Sequence, residues 1–337
     1  MDILIVSRTP YRISLFGGGT DFPAWYNEKG GAVIGTTINK YCYLSLRRLP
    51  PFFEHKHRIV YSQIELPNKT NEIEHPSVRA VLQNHWSTGG VEVHHQGDLP
   101  ARSGLGSSSS FTVGLLNAVR ALKGDISSPE WLANEAIRIE QEVIGESVGS
   151  QDQVWAAHGG TNLIKFGVNG QINVQPLIVN KERLKHLNDH LMLFFTGLSR
   201  YAVEIESEKM SRLKDLDSHL YKIYDNVEIA SQILQENSGE FLDLGKMLHH
   251  SWSLKKELAG GVTNNLIDEI YQQGMSAGAI GGKLLGAGGG GFMMFFASPD
   301  VQPQISKRLS KLIEVDFDIG SCGSKIVVYE PNGLEKV

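Results

Sequence analysis

The stretch LPARSGLGSSSSFTVGLLNAV, Leu99 to Val119, concentrates residue types that handle anions. Gly104 and Gly106 permit positive φ and close backbone approach. Ser107 to Ser110 sit where a helix begins, because Phe111, Leu115, Val119 and Leu122 follow at helical spacing. The first amides of a helix have no partner inside it, and the helix dipole makes that end electropositive. No Asp or Glu lies between Leu99 and Gly124, so the usual acidic occupants of a first turn are missing. The loop is suited to a phosphate, although the same letters also make an ordinary capped turn. Serine follows Gly106 where a Walker A loop has Lys-Ser or Lys-Thr, so any nucleotide is held by another geometry.

Regular elements must hold this loop. Strand-like runs occur at Ile3–Ser7, Arg12–Phe16, Val33–Ile38, Tyr41–Leu46, Arg58–Tyr61 and Val91–His95, with a helix predicted from Pro76 to His85. A second glycine cluster, FGGGTDF, follows Arg12–Phe16. SPEWLANEAIRIEQEVIG predicts a helix with Ser128 as cap and Pro129 at its first position. Strand patterns recur at Thr161–Phe166 and Ile172–Pro176, which gives an α+β first domain of residues 1–185. The composition then turns polar, and LMLFFTG opens a second domain, 186–337. There the stripe Leu213, Leu216, Leu220, Ile223, Val227, Ala230, Leu234 predicts a long helix packed on the domain's own sheet or paired in a coiled coil. Helices at 240–258 and 264–273 lead into GGKLLGAGGGGFMMFF, a glycine loop running into a buried strand. Val301–Leu312 and Lys325–Tyr329 read as helix, then strand.

Bulk properties exclude several function classes. The 337 residues suffice for two domains, at about 150 residues each. A net charge of −5 without basic blocks argues against nucleic acid as a partner. No apolar run is long enough for a membrane span, and MDILIVSRTP resembles a first strand more than a signal peptide. Cys42 and Cys322, far apart and outside any Cys-x-x-Cys pair, suit a reducing cytoplasm.

Taken together, RTPYRISLFGGGTDF, PARSGLGSSSS and KLLGAGGGGF resemble, in order and over nearly the full chain, the three motifs of the GHMP kinase superfamily. The resemblance implies that superfamily's α+β two-domain fold: an N-terminal domain like domain 2 of ribosomal protein S5 and a ferredoxin-like C-terminal domain. It implies ATP and Mg2+ as cofactors. ATP would be bound by Pro100, Ser103, Gly104, Leu105, Gly106, Ser107, Ser108 and Ser109. SQDQ matches the context of the galactokinase-like catalytic base, which makes Asp152 the base and Arg12 the cation beside the reacting hydroxyl. The metal carboxylate falls on Glu140, with Glu142 and Glu146 as alternatives, and Ser108 supplies the metal's hydroxyl, with Ser107 a close alternative. Substrate contacts would come from Arg12, Gly18, Gly19, Thr20, Asp21 and Asp152, with Gly288 and Gly289 from the third motif.

Galactokinases carry Gly-Glu-His-Thr-Asp where this chain has Gly17-Gly18-Gly19-Thr20-Asp21, which argues against galactose. The N-terminal motif is most similar to that of bacterial D-glycero-α-D-manno-heptose 7-phosphate kinases, and next to fucokinase domains. The implied reaction is phosphorylation of the C1 hydroxyl of the heptose 7-phosphate to the 1,7-bisphosphate, serving nucleotide-activated heptose and surface glycans. Arg200, in FFTGLSRYAVEIE, is the candidate for the sugar's terminal phosphate. The alternatives are a fucose-type sugar 1-kinase and a non-catalytic sugar sensor. The joint presence of Asp152, Glu140 and the serine loop argues against the sensor. The oligomeric state is open, a homodimer included.

Overall fold

The computed structural model describes residues 4–197, 217–235, 241–259 and 261–330. The first half runs β1 (Leu4–Phe16), α1 (Pro23–Lys29), β2 (Gly31–Arg48), β3 (Arg58–Val60), β4 (Ile64–Glu65), α2 (Pro76–His85), β5 (Val91–Gly97), α3 (Ser107–Leu122), α4 (Pro129–Arg138), α5 (Gln151–His158), β6 (Thr161–Phe166) and β7 (Ile172–Pro176). The remainder holds α6 (Lys181–His190), β8 (Leu191–Phe195), α7 (Asp217–Gln235), α8 (Asp243–Lys256), α9 (Asn265–Ser276), β9 (Gly281–Leu284), β10 (Phe292–Phe296), α10 (Gln302–Arg308), β11 (Ile313–Glu314) and β12 (Lys325–Glu330).

One sheet has the order β12-β1-β2-β5-β3-β4, with β6 also on β2 and β7 on β6; the other is β11-β8-β10-β9. From Leu4 on, the two pieces predicted up to Ser7 and at Arg12–Phe16 are a single strand, as are Val33–Ile38 and Tyr41–Leu46. The register between β1 and β2 shifts between Pro10 and Arg12, a bulge that accommodates a residue with no N–H for the ladder. Two other features depart from a single domain cut at 185/186. Strand β12 returns to pair with β1. Helix α7 packs on β1, β2 and α8, and so covers the first sheet rather than its own domain's sheet. Its described stripe residues Leu220, Ile223, Val227, Ala230 and Leu234 are buried there, at about 1.5–3 kcal/mol for each large side chain; Leu213 and Leu216 lie outside the described residues. This packing leaves no coiled-coil seam over the described part of the helix.

The second sheet has its own core, in which Trp252 of α8 and Tyr271 of α9 pack together and Tyr271 stacks on Phe295 of β10. Among the described residues no helix is long and apolar enough to cross a membrane.

Candidate active site

Helix α3 starts at Ser107 behind Gly106, whose φ of +75° is left-handed and which has no side chain to cap the helix. Gly104 also has positive φ, and a Cβ there would lie 2.4 Å from Leu285 O. From the other side, a Cβ on Gly286 would meet Gly104 Cα at 2.3 Å, and one on Gly291 would meet Ser103 O at 2.2 Å. The third glycine motif therefore lies directly on the serine loop, a contact open only to glycine. Lys255 Nζ holds that motif in place by donating to Leu284 O (2.7 Å) and Gly286 O (2.6 Å). Gly288 packs on Val262, and Gly289 N donates to Val262 O at 3.0 Å. Pro100 is exposed at the loop's start, Leu105 is buried, and Ser103 Oγ is buried without a partner.

The foot of this loop carries an ion pair. Arg12 Nε donates to Asp152 Oδ1 and Arg12 Nη2 to Asp152 Oδ2, each at 2.7 Å, while Nη1 donates to Gly104 O at 2.6 Å. Arg12 N also donates to Leu105 O at 3.0 Å. A two-point contact of this kind fixes orientation as well as charge. The Arg12 side chain is 5% exposed and that of Asp152 is 25% exposed, so the carboxylate keeps an open side. A Cβ on Gly106 would come within 3.4 Å of Asp152 Oδ2, which places the carboxylate beside the start of α3.

The N-terminal glycine motif closes the other side. Asp21 is buried, and its Oδ1 accepts from Gly19 N at 2.9 Å. Asp21 Oδ2 accepts from Gln151 N at 3.4 Å, so Asp21 caps α5, the helix that carries Asp152. Burial raises the Asp21 pKa above the usual carboxylate range, and the nearby Asp152 charge adds to the rise. Thr20 Oγ1 donates to Gly17 O and Ala32 O and fixes the loop's base, while Gly18 lies against Ser14 Oγ and Gln151 Nε2.

Glu140 lies on a π-helical turn, Ile139–Ile144, that continues α4; such turns are often found at functional sites. Within the serine run the hydroxyl that reaches it is Ser109 Oγ, at 2.9 Å to Oε2, and not that of Ser108, which is exposed; Thr112, one turn further along α3, also interacts with the carboxyl. Successive helical residues turn about 100° apart, so one serine of the run faces the carboxylate while its neighbour faces outward. Gln153 Nε2 donates to the same oxygen. Glu140 Oε1 and Gln153 Oε1 are buried with no donor, and burial pushes the Glu140 carboxyl up to about 7. Buried acceptors of this kind call for a proton or a cation, so the residues fit a divalent ion. Among the described residues no three His, Cys, Asp or Glu side chains cluster as a metal cage.

Thus Arg12, Asp152, the serine loop, the GGGTD loop and Glu140 converge, and Arg200 lies outside the described residues. Sequence reasoning missed Gln151 and Gln153 as partners; their only signal was that they flank Asp152. It also missed the left-handed Arg102 (φ +58°), whose amide donates to Ser107 Oγ at 3.0 Å.

Residues 74–160 match the GHMP kinases N terminal domain and residues 229–314 the GHMP kinases C terminal domain. The chain is 31% identical to the D-glycero-alpha-D-manno-heptose 7-phosphate kinase of Campylobacter jejuni, across 91% of this chain and 93% of that one. It is 25% identical to the bifunctional fucokinase/GDP-fucose pyrophosphorylase of Arabidopsis thaliana, across 92% of this chain but 31% of that longer protein. In fold it resembles a D-glycero-D-manno-heptose 1-phosphate kinase from Bacteroides thetaiotaomicron, with a TM-score of 0.77 at 22% identity, covering 95% and 97% of the two chains.

Proposed function

The chain belongs to the GHMP kinases, and we propose that it transfers the γ-phosphoryl group of ATP to the anomeric C1 hydroxyl of D-glycero-α-D-manno-heptose 7-phosphate, giving the 1,7-bisphosphate. The observation that carries the reading is the Arg12–Asp152 pair at the foot of an uncapped, serine-lined helix start. Asp152 takes the hydroxyl proton as the sugar oxygen bonds to the γ-phosphorus. The bond from that phosphorus to the bridging oxygen breaks, and ADP leaves. Arg12 holds the carboxylate by both oxygens, so the base needs no reorganisation. The amides at the start of α3 take up triphosphate charge. When bound with the triphosphate, magnesium would supply charge neutralisation, and Glu140 with Ser109 of α3 would hold it.

The 7-phosphate calls for a cation away from the ATP loops, and Arg200 is the residue proposed to supply it. ADP release is measured with heptose 7-phosphate, unphosphorylated heptose and fucose as acceptors. Turnover is expected on the first, with Arg200→Ala raising its KM at least tenfold and leaving the ATP KM little changed. Equal turnover of heptose and its 7-phosphate would overturn the substrate assignment and favour a fucose-type 1-kinase.

A further inference from the structure

Lys283 is the one charged residue of β9, GGKL, and it is 6% exposed. Its ammonium crosses from the second sheet to the first, where Nζ donates to Ser14 O and Leu15 O, both at 3.0 Å. Those carbonyls lie at the second register shift of β1. Ser14 faces Gly35 and Phe16 faces Ile34, so Leu15 is an extra residue in the ladder. A bulge bends its strand and disrupts the local hydrogen bonding, and a buried carbonyl still needs a donor. An ammonium carries three donors and serves two consecutive carbonyls at once. Burying that charge is costly without such partners.

The bulge sets the path of the chain toward the site. Ser14 Oγ donates to Gln151 Oε1 at 2.7 Å, one residue before Asp152. Beyond Phe16 the chain enters the Gly17–Asp21 loop, whose Asp21 caps α5.

We propose that Lys283 is a positioning residue, which clamps the β1 bulge from the second sheet and so sets the Gly17–Asp21 loop and Gln151 against Asp152. The inference rests on reading that loop as the acceptor's site, and it makes closure of one sheet on the other a condition for seating the acceptor.

The test compares Lys283→Met, which is similar in length but has no donors, with Lys283→Arg, which keeps them. In the Met variant, amide hydrogen exchange over residues 14–21 is expected to accelerate at least tenfold while α3 is unchanged. The acceptor KM is expected to rise at least tenfold with the ATP KM within twofold, and Lys283→Arg should restore most of both effects. Unchanged exchange over residues 14–21, or equal acceleration throughout the chain, would overturn the proposal. Should the wild type phosphorylate no sugar, the substrate reading fails while the exchange data still decide the role of Lys283. If the Met variant does not fold, Lys283→Leu, which also has no donors, is judged by the same exchange criterion.

Discussion

Asp152 and Arg12, separated by 140 positions in the chain, meet in a two-point contact of 2.7 Å on each carboxylate oxygen. The third arm of the guanidinium binds Gly104 O, so one arginine ties α5 to the serine loop. Asp152→Asn keeps the shape and removes the proton acceptor. Its kcat is expected to fall by about 10² or more with nucleotide affinity nearly intact, as read by steady-state kinetics and nucleotide titration. Near-normal turnover would remove Asp152 as the base.

Glu140→Gln separates charge from shape at the buried carboxylate. The magnesium concentration for half-maximal activity is expected to rise several-fold, with excess magnesium restoring part of the rate. Stability should move the other way. The Glu140 pKa is raised by burial from 4.5 to about 7, so its contribution is fully present below pH 4.5 and lost as pH rises through 7. Metal-free Glu140→Gln should therefore melt above the wild type at pH 8, and a lower melting point there would contradict the buried, raised carboxyl.

Gly104→Ala tests the contact between glycine motifs. With φ at +83° and backbone atoms at 2.4–2.9 Å from the new Cβ, no flexible side chain can give way. A cost of about 1–3 kcal/mol in stability is expected, together with a raised ATP KM, from melting curves and kinetics. An unchanged melting point would mean that the two loops are not in contact in solution.

His75 makes the fold sensitive to acid. It caps α2 through Val78 N at 3.5 Å and stacks on Phe111 at 4.5 Å between ring centroids. Burial lowers its pKa from 6.5 to about 4, so between those values the unfolded chain binds more protons. Stability present above pH 6.5 is lost as pH falls toward 4, by roughly 3 kcal/mol at most. His75→Asn, which keeps a cap acceptor, should flatten the melting profile between pH 7 and pH 4.5; parallel profiles would assign the loss to other groups.

Local chemistry was legible from the letters alone. Serines behind Gly104 and Gly106 announced the start of α3, and Ser128 before Pro129 announced that of α4, because caps and glycine turns act over a few residues. Asp152 and Glu140 were legible only through the resemblance, since nothing in their own neighbourhood separates them from other carboxylates such as Glu142.

Tertiary structure decided what each face meets. The apolar stripe of α7 was visible, but periodicity shows which side is apolar and not which sheet covers it; β1 and β2 do. Strand β12 was visible, but its return to β1 across more than three hundred residues leaves no local trace. Of four adjacent serines, the rotation of α3 against the π turn chose Ser109 for Glu140. Lys283 stands just before the third glycine motif in the sequence, and only the closing of one sheet on the other brought it to the carbonyls of a bulge in β1. Sequence spacing governs neighbours along one element, whereas contacts between elements depend on the burial of whole faces, which no short window contains.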